Sequence, residues 1–221
     1  MSYFVEGYEI VDGFVTQAQI ELVTSETQSK EIAFAGGGIR NAEKKYSSIH
    51  NLAWSNDLLA RANNYLNKPS KLVRAILFNK TEMNNWLVGW HQDRTVSVSK
   101  KFHADGWGPW SVKDGVVHVQ PPIVVLNQMI TFRIHLDDSS QVNGCLKVLP
   151  KSHELGILDQ NEIQEYVQHN RSVICEARSG SALVMRPHIL HASSKAKNPS
   201  QRRVLHLEYS SFKLPSGISW A

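Results

Sequence analysis

Trp86-Leu87-Val88-Gly89-Trp90-His91-Gln92-Asp93 is an extended apolar run that ends on a His-x-Asp pair. In a β-strand, residues i and i+2 point to the same side, so His91 and Asp93 offer an imidazole and a carboxylate to one face of a sheet. Two such groups can reach a single metal ion. They would supply two of the three protein ligands of a 2-His-1-carboxylate triad, which leaves coordination positions open. A second pair, His103-Ala104-Asp105, has the same spacing but runs into Gly106-Trp107-Gly108-Pro109, a turn-rich stretch that holds side chains less rigidly. The first pair is the better candidate.

The sequence on either side of this run sets the fold class. Lys71 to Asn79 is strand-like, and Met129 to Asp138 alternates, with Thr131, Arg133 and His135 on one face and Phe132, Ile134 and Leu136 on the other. Such a polar row ordinarily faces water, but in a barrel that holds a charged ligand it faces the pocket. Asp137-Asp138 and Asn143-Gly144 supply turns, Cys145 to Pro150 reads as a short strand, and Ser181 to His191 and Gln201 to Ser210 read as a strand pair. Glu162 to His169 reads as a brief surface helix.

Toward the N-terminus, Gly7 to Val15 reads as a short strand with a turn at Asp12-Gly13. Thr16 caps a helix through Ile20 and Val23, and Gly36-Gly37-Gly38 forms a loop. Helical spacing from Asn51 to Leu66 closes at Asn67-Lys68-Pro69. The pattern predicts a mainly β (α+β) fold: a double-stranded β-helix or jelly roll of the cupin type over about residues 70–212, flanked by helices over about 14–68. Residues 1–221 are expected to form one domain.

Thr95 to Pro122 is rich in glycine, proline and tryptophan, and reads either as a lid over the site or as Trp107 and Trp110 plugging one end of a barrel. Trp86, Gln92, Trp107, Trp110, His118, Gln120, Arg133, His135 and Arg186 are candidates to line a substrate pocket. Net charge is +4 with a sequence pI near 9.0, but the basic residues come as scattered pairs such as Lys44-Lys45 and Lys100-Lys101. Without a basic run, the expected partner is a small molecule and not nucleic acid. No apolar run reaches about 18 residues and no signal-peptide pattern opens the chain, so no membrane partner and a cytoplasmic location are expected. Cys145 and Cys175 read as buried thiols in a reducing compartment.

A triad needs a second histidine. His188 and His191 lie three apart near a strand end, so only one can face inward. His191 has more support, because Arg202 on the following strand could return toward it. A guanidinium there would bind a carboxylate bidentately, with Ser193 as an added donor; alternatively Arg202 is a surface residue beside Arg203.

Taken together, Leu77-Phe78-Asn79-Lys80, His91-Gln92-Asp93, Asn143 through His153, and His191-Ala192-Ser193 through Asn198, Ser200 and Arg202 resemble, in order, segments of the phytanoyl-CoA dioxygenase family of Fe(II)- and 2-oxoglutarate-dependent oxygenases. The resemblance covers about residues 70 to 210. It departs at Lys151, where the family usually has glycine, and at Val142, where a polar residue is common. The resemblance implies that His91, Asp93 and His191 bind iron and that Arg202 holds the distal carboxylate of 2-oxoglutarate with help from Ser193. It also implies that Thr131 and Arg133 line the cosubstrate pocket and that Asp93 disfavours halogenation; His153 matches a family position but lies in a turn and reads as structural. The implied reaction consumes O2 and 2-oxoglutarate and hydroxylates a small molecule, of natural-product, amino-acid or acyl type, with release of succinate and CO2. Alternative readings are a non-catalytic jelly-roll binding module and a cosubstrate-free cupin-type metalloenzyme.

Overall fold

The computed structural model describes residues 2–29, 38–198 and 201–221; Gly36 and Gly37 of the expected glycine loop, and Ser200, lie outside the described residues. After α1 (Ser2–Glu6) and β1 (Tyr8–Val11), the chain turns at Gly13 and enters α2 (Gln17–Ser29). Thr16 Oγ1 accepts from the Gln19 N–H at 3.3 Å while Gln19 Oε1 accepts from the Thr16 N–H at 2.8 Å. This reciprocal cap satisfies N–H groups that the first helical turn cannot.

The strand β2 (Ile39–Arg40) and three helices follow: α3 (Ala42–Lys45), α4 (Ser47–Ala53) and α5 (Asn56–Leu66). The single helical run expected over Asn51 to Leu66 is therefore two helices. The chain breaks at Trp54, and the Ser55 side chain accepts from the Leu58 N–H at 3.3 Å to start α5 afresh. A serine inside a periodic stretch acted as a start signal. Asn67, left-handed at φ 52°, ends α5.

The rest is mostly strand: β3 (Lys71–Lys80), β4 (Val88–His91), β5 (Val96–Val98), β6 (Trp110–Lys113), β7 (Val116–Val119), then α6 (Ile123–Leu126), β8 (Met129–His135), β9 (Leu146–Val148), α7 (Gln160–His169), β10 (Val173–Cys175), β11 (Ala182–Met185), β12 (His191–Ser193) and β13 (Arg202–Ser210). An antiparallel sheet in the order β1-β11-β8-β13-β3-β2 faces a smaller one in the order β10-β9-β12-β4. This is the expected jelly roll. Leu146, Val148 and Cys175 of the small sheet meet Leu183 and Met185 of the large one in the space between.

Side-chain alternation divides the large sheet into two faces. Its outer face carries Leu72, Ala75, Leu77, Phe132, Ile134, Leu205, Leu207 and Tyr209, packed against Ile20, Val23, Ile49, Leu52, Leu58 and Ala62 of the helical flank. Besides Leu183 and Met185, the inner face carries Arg74, Lys80, Thr131, Arg133, His135, Arg202, His206 and Glu208, every one of them buried. The polar row of β8 thus faces the pocket side and not water.

Residues 95–122 are not one long loop. They form a third sheet, β5-β7-β6, because the valines at 96, 98, 117 and 119 alternate well enough to pair. Trp107 and Trp110 pack edge-on against Phe102, at centroid distances of 4.8 and 5.3 Å, within a cluster that includes Val96, Val119, Phe212 and Trp220.

Lys151 sits at φ 64°, in the left-handed region. That accounts for the expected glycine at this position, since an L side chain there costs about 1–2 kcal/mol. Its ion pair with Glu6, at 3.7 Å on the surface, returns little. Lys151→Gly is therefore expected to raise the melting temperature by about 2–4 °C, the shift that roughly 1 kcal/mol produces in a chain of this size. An unchanged or lower melting temperature would show that the backbone is not strained at this residue.

Candidate metal centre

β4 pairs with β12 so that His91 lies opposite His191. Asp93 follows just past the strand end, where its N–H donates to the Pro187 carbonyl at 3.0 Å. The three groups converge: His91 Nε2 is 3.8 Å from Asp93 Oδ1, His191 Nε2 is 3.5 Å from Asp93 Oδ2, and the two imidazoles are 4.2 Å apart. His191 is almost fully buried, whereas the His91 side chain is 39 % exposed, so the cluster opens on one side.

The backbone fixes both tautomers. His91 Nδ1 lies 2.8 Å from the Gly89 carbonyl and His191 Nδ1 lies 2.8 Å from the Ile189 carbonyl. A carbonyl can only accept, so each Nδ1 carries the proton and each Nε2 presents a lone pair to the centre. Burial, and then the neighbouring His91, push the His191 pKa down to about 3 and keep the ring neutral. Burial alone would raise the Asp93 carboxyl, yet His191, His206, His91 and Arg74 around it hold it well below the usual carboxylate range. Two neutral imidazoles and one carboxylate with an open side form a donor set that suits a divalent transition metal.

Asp93, His206 and Glu208 also stand close enough to suggest a metal site. Their hydrogen bonds argue otherwise. Arg133 Nη1 can only donate, so at 2.9 Å it forces His206 Nδ1 to accept and places the His206 proton on Nε2, which donates to Glu208 Oε1 at 2.9 Å. Glu208 also accepts from Arg74 Nη2 at 2.7 Å. His206 therefore presents an N–H, 4.0 Å from Asp93 Oδ2, where a ligand would need a lone pair.

Beyond His206 the inner face turns cationic. Lys80 lies opposite Arg202, and Arg133 lies opposite His206. Among the described residues none of these three cations has a carboxylate within ion-pair distance. Burial, then the charges of Arg202 and Arg133, lower the Lys80 pKa to about 8; burial, then Arg202, lowers Arg133 to about 10. Arg202 Nε, Arg133 Nε, Thr131 Oγ1 and both nitrogens of His135 are buried without a hydrogen-bond partner. Burial and the cations Arg133 and Arg202 push His135 down to about 3, which leaves it neutral. Buried donors in this number want an anion. Lys80 Nζ donates at 2.7 Å to both Ser193 Oγ and the Ser194 carbonyl, while Ser193 Oγ donates to the Gly144 carbonyl at 2.9 Å. Gly144 is needed there. It sits at φ 78°, and a Cβ on it would lie 2.6 Å from Ser194 O and 3.2 Å from Lys80 Nζ.

The structure brings His91, Asp93, His191 and Ser193 from the small-sheet side and Thr131, Arg133 and Arg202 from the inner face of the large sheet to the space between the two sheets. Arg203, and not Arg202, is the outward arginine, held bidentately by Asp137 at 2.6 and 2.8 Å. His188 is buried on the other side, facing His153. Trp86 lies under the Lys80 ammonium at 5.5 Å. Gln92 is not at the site: its amide donates to the Gly156 and His188 carbonyls and accepts from the Leu158 N–H, so it is spent as a strut. Arg186 is also elsewhere, stacked on Tyr3 at 4.8 Å and donating to the Asn127 carbonyl. His118 is buried against Ser97, and the Gln120 backbone pairs with Gly108 and Pro109. The sequence reading missed Arg74, Lys80, His206 and Glu208, although each falls on the inner parity of β3 or β13.

The family model for phytanoyl-CoA dioxygenase matches residues 4–204, so the chain belongs to the phytanoyl-CoA dioxygenase family, a family of Fe(II)- and 2-oxoglutarate-dependent oxygenases. No curated protein matches the sequence. Among solved structures, AviO1 from Streptomyces viridochromogenes Tue57 is similar at a TM-score of 0.70 and 18% identity, over 97% of this chain and 94% of that one. SnoN, a non-heme alpha ketoglutarate dependent epimerase from nogalamycin biosynthesis, gives 0.69 and 16%, over 99% and 82%. HygX from Streptomyces hygroscopicus, with nickel and 2-oxoglutarate bound, gives 0.67 and 15%, over 94% and 83%. At these identities the likeness is one of fold. Among the described residues, no helix is long and apolar enough to cross a membrane.

The electrostatics of Lys80 are directly measurable. In the metal-free, ligand-free protein, one lysine 13Cε resonance is expected to titrate near pH 8 and to vanish in Lys80→Met. Adding 2-oxoglutarate at pH 8.5 should move that titration upward, because a bound anion favours the protonated amine. Titration of every lysine above pH 10 would contradict the crowding of cations described here.

Proposed function

We propose that His91, Asp93 and His191 hold Fe(II), that Arg202, Lys80 and Arg133 hold the distal carboxylate of 2-oxoglutarate, and that the protein hydroxylates an unactivated carbon of a small molecule with release of succinate and CO2. The observation that carries this reading is an open triad on the small-sheet side facing buried cations on the inner face of the large sheet. A cupin-type enzyme without cosubstrate would have no use for three unpaired cations beside the metal, and a non-catalytic module would have no use for either.

Each residue has a definable task. His91 and His191 direct Nε2 lone pairs inward because Gly89 and Ile189 hold their Nδ1 protons. Asp93 adds the single negative charge. Arg202 offers a planar fork to a carboxylate, Lys80 a point charge steadied by Ser193, and Thr131 a free hydroxyl. His206 donates toward Glu208, with its N–H 4.0 Å from Asp93, and so links the two halves of the site. When bound, the ferrous ion would activate O2 through oxidative decarboxylation of the cosubstrate and supply the oxidant for a substrate C–H bond. Asp93 supports hydroxylation over halogenation, since a carboxylate ligand leaves no place for chloride. The exposed edge of His91 supports approach of the substrate from that side.

Separate variants test the two halves. His91→Ala is expected to abolish Fe(II) binding measured by anaerobic calorimetry, while Asp105→Ala leaves it intact. Arg202→Ala should retain iron but weaken 2-oxoglutarate binding by on the order of 2–5 kcal/mol, as expected when one side of a buried charge pair is truncated. Iron binding that survives His91→Ala, or cosubstrate affinity unchanged in Arg202→Ala, would sink the corresponding assignment.

A further inference from the structure

A second group of cations lies on the other side of His206 from Arg133, outside the cosubstrate pocket proposed above. Arg40 of β2 is opposite Ile76 of β3, which in turn is opposite His206 of β13. Opposed residues share a face, so Arg40 points to the inner side at the sheet edge. It lies two strands, or about 10 Å, from the row position of His206, whereas Arg133 lies one strand away in the other direction. Facing Arg40 is the tip of the β6–β7 hairpin, where Lys113 precedes Asp114, and Asp114 reaches Arg40 at 3.7 Å. Arg74 stands below them, tied to Glu208 and near Thr95 Oγ1 at 3.5 Å.

Three cations thus meet two carboxylates, one of which forms only a loose surface pair, with Arg40 34 % and Asp114 51 % exposed. The excess charge is felt locally. Partial burial and the repulsion of Arg40 and Arg74 lower the Lys113 pKa, and the same cations help to lower that of buried His118. Arg40 shares its cross-strand row with His206, whose Nε2 lies 4.0 Å from Asp93, and Arg74 reaches Thr95, two residues past Asp93, so this group borders the triad. A shallow cationic rim beside the triad is an attractor for anions.

We propose that the substrate carries an oxyanion, a carboxylate or a phosphate, that docks between Arg40 and Lys113 at the mouth of the metal site and presents a nearby carbon to the centre. This rests on the reading of the triad given above, and it adds the chemical class of the substrate. Arg40 and Lys113 bind the anion by exchanging the loose Asp114 contact for a stronger one. Arg74 is committed to Glu208 and contributes field without direct contact. A cationic substrate is repelled at the same place.

The test uses the protein loaded with zinc in place of iron and saturated with 2-oxoglutarate, so that the inner cations are filled. It is titrated separately with inorganic phosphate, hexanoate and hexylammonium, following the Arg40 side-chain 1H–15N cross-peak and the Lys113 13Cε signal. One of the two anions is expected to shift both signals saturably, less so as salt is added, while hexylammonium shifts neither. The tighter anion identifies the group. Arg40→Gln and Lys113→Gln should each weaken binding about tenfold, the size of one charge-assisted contact, and Lys100→Gln should not. Absence of any anion effect, anion binding unchanged by both variants, or equal response to hexylammonium would each overturn the proposal. If the reading of the triad is itself wrong, no chelate absorption appears when iron and 2-oxoglutarate are combined, yet the same two signals still report whether the rim binds anions.

Discussion

Lys80, Arg133 and Arg202 point into the barrel with no carboxylate among the described residues to meet them. Buried charge without a partner is among the least favourable arrangements a fold can carry. It persists here because the outer face of the same sheet is packed densely against the helical flank, through Phe132, Leu205, Leu207 and Tyr209. The apolar face holds the strands in register, and strict alternation then compels the cations inward. A dianionic ligand would offset the charge that the packing concentrates there.

The same alternation orders the pocket from end to end. Along the inner face the sequence runs from the Arg202 and Lys80 pair, past Arg133 and His206, to Glu208 and Arg74, with Arg40 at the β2 edge. His206 is the hinge of this series, accepting from Arg133 and donating to Glu208. Its N–H keeps the neighbouring carboxylates from forming a second metal site. The direction of that one imidazole proton, set by the Arg133 Nη1 contact, divides the triad side of the pocket from the Arg133 side.

Much of this was legible in the sequence, for reasons that can be named. The His91-x-Asp93 spacing and the alternation of Thr131, Arg133 and His135 are local properties; β8 preserves the second, and the Asp93 N–H on the Pro187 carbonyl extends the first past the end of β4. His191 was separable from His188 only through its relation to Arg202, a contact between strands. The residues that escaped notice, Lys80, His206, Glu208 and Arg74, have the same inward parity but acquire meaning only from cross-strand partners that spacing along the chain does not reveal. Gln92 and Arg186 fail in the opposite way. Their polar groups suggested a pocket, and backbone carbonyls brought near by the fold had already claimed them. The helical break at Trp54 turned on one capping serine, and the three-stranded sheet within residues 95–122 turned on valines separated by the glycines, prolines and tryptophans that suggested a loop.

The central claim is that the triad and the buried cations act on one ligand together. Its most direct test is anaerobic addition of 2-oxoglutarate to the Fe(II)-loaded protein, followed by visible absorption. A weak charge-transfer band that grows and saturates with 2-oxoglutarate is expected, because chelation at the metal and capture of the distal carboxylate then occur in the same molecule. Iron that binds without such a band would contradict the account, since the cations would then have no part in holding a cosubstrate against the metal.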